Sequence, residues 1–173
     1  MKEKIIFLDV DGVLNRFIHP RIIFEDGDPT CPIQDPKSFK ILDCACLGVL
    51  SKLIRETGAK IVVSSAWRIC RMGELEKQLR GIIPEDCIIG KTINIGNREE
   101  EIQDWIKEHK EAIESFVIID DEIGEFKILI NRVVKIDNRE GLTEEKAEKV
   151  KELFRVGNEE DIRRLFWGII SGK

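Results

Sequence analysis

No apolar run in the chain approaches the roughly 20 residues that a membrane-crossing helix needs. The opening Met1-Lys2-Glu3-Lys4 leads into an apolar stretch with no leader-like segment ahead of it. A cytoplasmic protein without a membrane partner is expected. Histidine is nearly missing: His19 and His109 are the two present, far from any ligand spacing. That excludes a metal-histidine centre, and His109, in the polar W-I-K-E-H-K-E, reads as a solvated helix residue. The five cysteines contain no C-x-x-C, and Cys44 and Cys46 would face different directions on a helix. Small buried thiols in a reducing compartment are expected, rather than a zinc site or a disulfide framework. Positive charge is also short, with 28 basic against 33 acidic residues and a net charge of -5. This argues against a protein that coats nucleic acid through bulk electrostatics, while a local phosphate site stays compatible. There is no internal repeat, low-complexity tract or linker, and 173 residues make one domain, 1–173, with a real core.

What is present is organised around Ile5 to Asn15, I-I-F-L-D-V-D-G-V-L-N. Four unbroken apolar residues describe a strand buried on both faces, as in the middle of a parallel sheet. The run stops at Asp9, so Asp9 and Asp11 stand just past the carboxyl end of that strand, where open α/β sheets bind ligands. Gly12 permits a tight turn and close approach of backbone to whatever binds there. Two adjacent carboxylates call for a cation or a shared proton.

Four of the five prolines fall between Arg16 and Lys40, where periodicity is poor. This long loop reads as a flap over the acidic pair or as a surface excursion. A helix capped by Ser38 or Asp43 then runs to about Thr57, with Gly58 as its stop. Next comes a second buried strand, Lys60 to Val63, ending in Ser64-Ser65. Strand, helix, strand is a parallel crossover, so Ser64 arrives at the same sheet edge as Asp9. A helix over Ala66 to Arg80 begins at the serines, which either cap it or seat a phosphate there. Arg68 and Arg71 oppose the dipole of that helix, and they serve a bound anion or surface ion pairs.

Pro84 precedes a short strand at Cys87 to Ile89. Arg98 opens a helix, R-E-E-E-I-Q-D-W-I-K, whose glutamates suit its positive end. Lys91 and Arg98 are rival cations for an acidic pair and a phosphate, or else solvated charges. Phe116 to Ile119 forms another buried strand and ends in Asp120-Asp121. Two acidic strand ends meeting at one edge make the oxygen-rich site that Mg²⁺ prefers. A last strand at Val133 to Ile136 and helices over about 143–170 complete the chain, the first begun by Thr143 and the second spanning Glu159 to Ile170.

Four signals thus follow one another: D-V-D-G-V, V-V-S-S, a basic residue opening a helix, and F-V-I-I-D-D. This order resembles the haloacid dehalogenase (HAD) superfamily of phosphotransferases. More narrowly, S-S-A-W-R, R-E-E-E-I-Q-D-W-I, F-V-I-I-D-D-E and G-L-T look like the HAD domains of Swiss-army-knife RNA-repair-like proteins. The resemblance implies an α/β fold, a three-layer doubly wound parallel sheet of the HAD-like Rossmannoid type, with a minimal cap or flap at about 16–40. It makes Asp9 the phosphorylated nucleophile, Asp11 the general acid and then base, and Ser64 a donor to the transferring phosphoryl group. Mg²⁺ would be held by Asp9, the Asp11 backbone carbonyl and Asp120, with Asp121 assisting directly or through water. The third-motif position, usually lysine, falls on Arg98, with Lys91 as rival. Gly12, Ser65, Trp67, Arg68 and Lys91 are then the candidate substrate contacts, Trp67 by stacking and Arg68 on phosphate.

The expected function is a Mg²⁺-dependent phosphatase working through an aspartyl phosphate on a phosphorylated small molecule, a nucleotide or a nucleic-acid end, with no stable protein partner evident. The competing reading is a phosphate- and Mg²⁺-binding module of slow or no turnover, either receiver-like or a lapsed HAD enzyme.

Overall fold

A computed structural model of the chain describes residues 2–16 and 42–157. The expected flap, apart from Arg16, and the helix expected at Glu159 to Ile170 lie outside the described residues. The strands are β1 (Glu3–Leu8), β2 (Lys60–Val63), β3 (Ile88–Lys91), β4 (Ile113–Asp120) and β5 (Val133–Lys135). All pairings are parallel, in the order β3-β2-β1-β4-β5. The helices are α1 (Cys44–Thr57), α2 (Trp67–Cys70), α3 (Met72–Leu79), α4 (Arg98–His109) and α5 (Glu144–Val156).

Strand alternation divides the core in two. Ile6 and Leu8 of β1 join Ile61, Val63, Val117 and Ile119 beneath α1, α3 and α5. Ile5 and Phe7 join Val62, Phe116 and Ile118 against Ile102 and Ile106 of α4. Because both faces are covered, β1, β2 and β4 carry unbroken apolar runs rather than alternating ones. The three-layer doubly wound fold expected from the sequence is the fold observed.

Local chemistry accounts for the helix ends. Of the two caps considered for α1, Asp43 is the one in place: its carboxylate accepts from Ala45 N at 2.9 Å and Cys46 N at 3.2 Å. Gly58, at φ 65°, donates to Ile54 O and stops the helix. Thr143 caps α5 by accepting from Lys146 N at 3.3 Å.

The helix expected over Ala66 to Arg80 is instead two, α2 and α3, broken at Arg71 with φ -127°. The carbonyl of Arg68, which a continuous helix would bond to the residue four places on, accepts the Lys91 ammonium at 2.9 Å. Arg71 lies over the Trp67 ring. The reading of five reduced cysteines is also corrected. Cys44 is disulfide-bonded, whereas Cys46 and Cys87 are free and buried and Cys70 is free and exposed.

Register brings the strand ends together. Leu8 is level with Val63 on one side and Ile119 on the other. Asp9 N–H continues the ladder to Ile119 O, and Ser64 N–H to Leu8 O, each at 3.0 Å. The chain winds outward from β1 through β2 to β3, then crosses to β4 on the other side. The point where the order reverses lies between β1 and β4, and it opens the crevice at their carboxyl ends.

Candidate active site

That crevice holds Asp9 and Asp120, both buried, and the half-buried Asp121. Each offers a carboxylate oxygen, and the three oxygens lie within 4.8 Å of one another. One guanidinium bridges two of them: Arg98 Nη1 is 2.5 Å from Asp120 Oδ2 and 3.4 Å from Asp9 Oδ1. It arrives from the first residue of α4, which Asn97 caps by accepting from Glu100 N. Glu125 fixes the start of that helix by accepting from Arg98 N.

Burial pushes the Asp9 carboxyl up to about 7; Arg98 opposes the shift, Asp120 adds to it, and a Ser65 hydroxyl bond works against it. Burial likewise raises Asp120, again opposed by Arg98 and reinforced by Asp121. Arg98 itself would be lowered by burial, but the charges of Asp9 and Asp120 outweigh that and hold it protonated. Three carboxylates facing one guanidinium, with two of them pushed toward neutrality, form an under-compensated set of hard oxygen donors. Asp9, Asp120 and Asp121 therefore fit a small divalent cation such as Mg²⁺. The Asp11 carboxylate stands outside this group. Both its oxygens lie 3.0 Å from Trp67 Nε1, and Oδ1 also accepts from Asn15 Nδ2 at 2.7 Å.

Several of the expected substrate contacts have protein partners in the structure. Gly12 turns the chain at φ 73°, and a Cβ there would fall 2.3 Å from Asp121 Oδ2. Its N–H goes to Asn15 Oδ1. Close approach is what this glycine provides, toward Asp121 just past the end of β4. Trp67 is 2% exposed, so it offers no stacking platform. Arg68 is also buried: it donates to the carbonyls of Ser64 and Ser65 and pairs with Glu101 at 2.5 Å. This guanidinium knits the serine turn to α4 and is spent on protein partners instead of phosphate. Lys91, though its side chain reaches Arg68 O, is otherwise exposed, while Arg98 is the cation that touches the acids.

The two serines differ. Ser65 Oγ accepts from Trp67 N at 3.3 Å and bonds Asp9. Ser64 Oγ is buried and has no hydrogen-bond partner among the described residues. An orphaned hydroxyl costs free energy unless something binds it. The first turn after it is only the four-residue α2.

Other residues that shape this site carry weaker sequence signals. Asn15, the last residue of I-I-F-L-D-V-D-G-V-L-N, secures both Asp11 and Gly12. Its place four residues past Asp11 is a local signal that could have found it. Glu99 and Glu101 read as charges suited to a helix start, yet both are buried. Glu99 accepts from the backbone of Lys127, Ile128 and Leu129, and Glu101 from that of Ile95 and Gly96. Nothing local distinguishes them from the exposed Glu100 between them.

No curated protein sequence matches the chain. The model for the HAD domain in Swiss Army Knife RNA repair proteins matches residues 5–147, which takes in β1 from Ile5 on, β2 to β5 and the whole acidic crevice. With its parallel five-stranded sheet and the carboxylates at the reversal of strand order, the chain belongs to this HAD family, a family of hydrolase type.

Proposed function

We propose that residues 1–173 form one HAD-like catalytic domain, a Mg²⁺-dependent phosphomonoesterase that works through an aspartyl phosphate on Asp9 and acts on a nucleotide or a phosphorylated nucleic-acid end. The observation that carries this reading is the convergence of Asp9, Asp120 and Asp121 within 4.8 Å, with Arg98 laid across two of them. Asp9 is anchored through its backbone to β4 and through its side chain to Ser65 and Arg98. Its oxygen attacks phosphorus while the bond from phosphorus to the leaving oxygen breaks. Asp11 gives its proton to that oxygen. Asp11, now a carboxylate, then takes a proton from water, whose oxygen displaces Asp9 and releases inorganic phosphate.

Arg98 and the unpartnered Ser64 hydroxyl meet the charge on the equatorial oxygens, as fixed donors that need no reorganisation. Bound to Asp9, Asp120 and Asp121, Mg²⁺ would offset the repulsion between nucleophile and phosphate and keep Asp9 ionised at neutral pH. The RNA-repair setting of the matching family supports a nucleic-acid end as the substrate class.

The test is phosphate release from a panel of nucleotides, sugar phosphates and RNA or DNA ends bearing 3'- or 5'-phosphate, with Asp9→Asn beside the native chain. Native turnover should require Mg²⁺ and fall by about 10³-fold or more in Asp9→Asn, since the nucleophile itself is lost. Activity that survives this substitution removes the proposal. A phosphoaspartate that forms and persists would favour the slow-turnover binding module.

A further inference from the structure

Trp67 is an unusual occupant of the site. It is the first residue of α2, one of the largest fully buried side chains, and its single polar atom is spent on Asp11. Nε1 stands 3.0 Å from both Asp11 oxygens, so one N–H straddles the carboxylate and resists its rotation. Asn15 holds Oδ1 from another direction at 2.7 Å, and its own Oδ1 is fixed by Gly12 N at 2.9 Å. The indole is held in turn. Its backbone N–H is bonded to Ser65 Oγ, and the Arg71 guanidinium lies 3.4 Å from the ring centroid, the spacing of a close cation–π stack. Arg71 is itself paired with Glu74.

The geometry points to Trp67 as the positioning residue for Asp11: the indole N–H, clamped by Arg71, sets the direction in which the Asp11 carboxyl exchanges its proton with the leaving group. This inference rests on the proposed phosphatase reading and extends it to a residue that touches neither phosphorus nor the Asp9, Asp120 and Asp121 carboxylates. A buried tryptophan normally finds one acceptor for its N–H. Here the acceptor is the side chain two residues past the nucleophile, and a proton donor must be held within hydrogen-bond reach of its target to work.

Leaving groups provide the test. An aryl phosphate with an acidic phenol, such as 4-nitrophenyl phosphate, departs without needing a proton. An alkyl phosphate needs one. Trp67→Phe keeps an aromatic side chain and removes the N–H, and site-specific replacement of Trp67 by 3-benzothienylalanine removes it with nearly unchanged shape, which covers the case in which Trp67→Phe folds poorly. Both should lower kcat/KM on the alkyl ester by roughly tenfold to 100-fold, within the range attributed to acid–base catalysis and its positioning. On the aryl ester the loss should be under about threefold, so that the dependence of rate on leaving-group basicity steepens as it does in Asp11→Asn. Equal losses on both esters, or no loss on either, would overturn the inference. Asp9→Asn separates the two levels: if it stays active, the phosphatase reading fails. If it is inactive, and Asp11→Asn alone shows leaving-group selectivity, the reading stands and the role of Trp67 falls.

Discussion

Two buried charged regions lie side by side in this molecule and are built in opposite ways. Around α4 most of the buried charge is met by protein: Arg68 meets Glu101 and two carbonyls through its terminal nitrogens, leaving Nε without a partner among the described residues, Glu101 also accepts two backbone N–H groups, and Glu99 accepts three. At the ends of β1 and β4 it is unmatched. Asp9 and Asp120 share one guanidinium, Asp121 has among the described residues only the Asn138 amide at 3.4 Å, and burial drives Asp9 and Asp120 toward their neutral forms. Charges satisfied by protein partners hold loops in place. Charges left short of partners are poised for a ligand, since burying carboxylates together is costly without compensation.

The contrast is most sharply broken at Glu101. Replacing it by alanine leaves the Arg68 guanidinium buried and unpaired and strands the N–H groups of Ile95 and Gly96. Glu101→Ala should cost about 3–5 kcal/mol, as for other buried pairs that lose one partner. Denaturant unfolding measures it; a loss below about 1 kcal/mol, the range of exposed pairs, would place this network with surface charges.

The acid crevice should respond to pH rather than to truncation. Between the ordinary carboxyl value of 3.8 and about 7, the unfolded chain releases the Asp9 proton while the folded chain retains it. The unfolded state then binds fewer protons, so stability of the metal-free protein falls as pH rises through this window and levels off above it. The full contribution of Asp9 is about 4 kcal/mol. Urea midpoints from pH 4 to 8 with a chelator should trace the decline, Asp9→Asn should remove most of it, and added Mg²⁺ should flatten it. A stability that rises over this window would mean the carboxylates are compensated after all.

The smallest effect sharpens the boundary between the regions. A methyl at Gly12 would collide with Asp121 and force a positive φ on alanine. Gly12→Ala should therefore cost about 1–3 kcal/mol and weaken Mg²⁺ binding, read by calorimetry. Unchanged metal affinity would separate Asp121 from the cation site.

How much of this was legible beforehand differs element by element. The runs at 5–8, 60–63 and 116–119 declared themselves because strands covered on both faces have no polar side, and Asp9, Ser64 and Asp120 followed as the residues at which those runs stop. The Trp67 and Arg68 side chains read as substrate contacts because a charged or aromatic residue in the first turn of a helix has no local mark of which way it faces. At the break at Arg71, Lys91 of β3 bonds the Arg68 carbonyl that a continuous helix would use, a partner far off in sequence. The fates of Glu99 and Glu101 likewise depended on backbone groups from 5 to 30 residues distant.

Apolar continuity and its interruptions were enough, from the amino-acid order alone, to define the sheet's central strands and the acids and serines at their tips, and the motifs quoted at those tips carried the family resemblance. Only the packed chain decided that β1 lies between β2 and β4, that Arg98 and not Lys91 reaches the acids, and that Trp67 turns inward to grip Asp11. Burial and hydrogen-bond satisfaction are properties of neighbours in space, and those neighbours are chosen by the order in which strands pair.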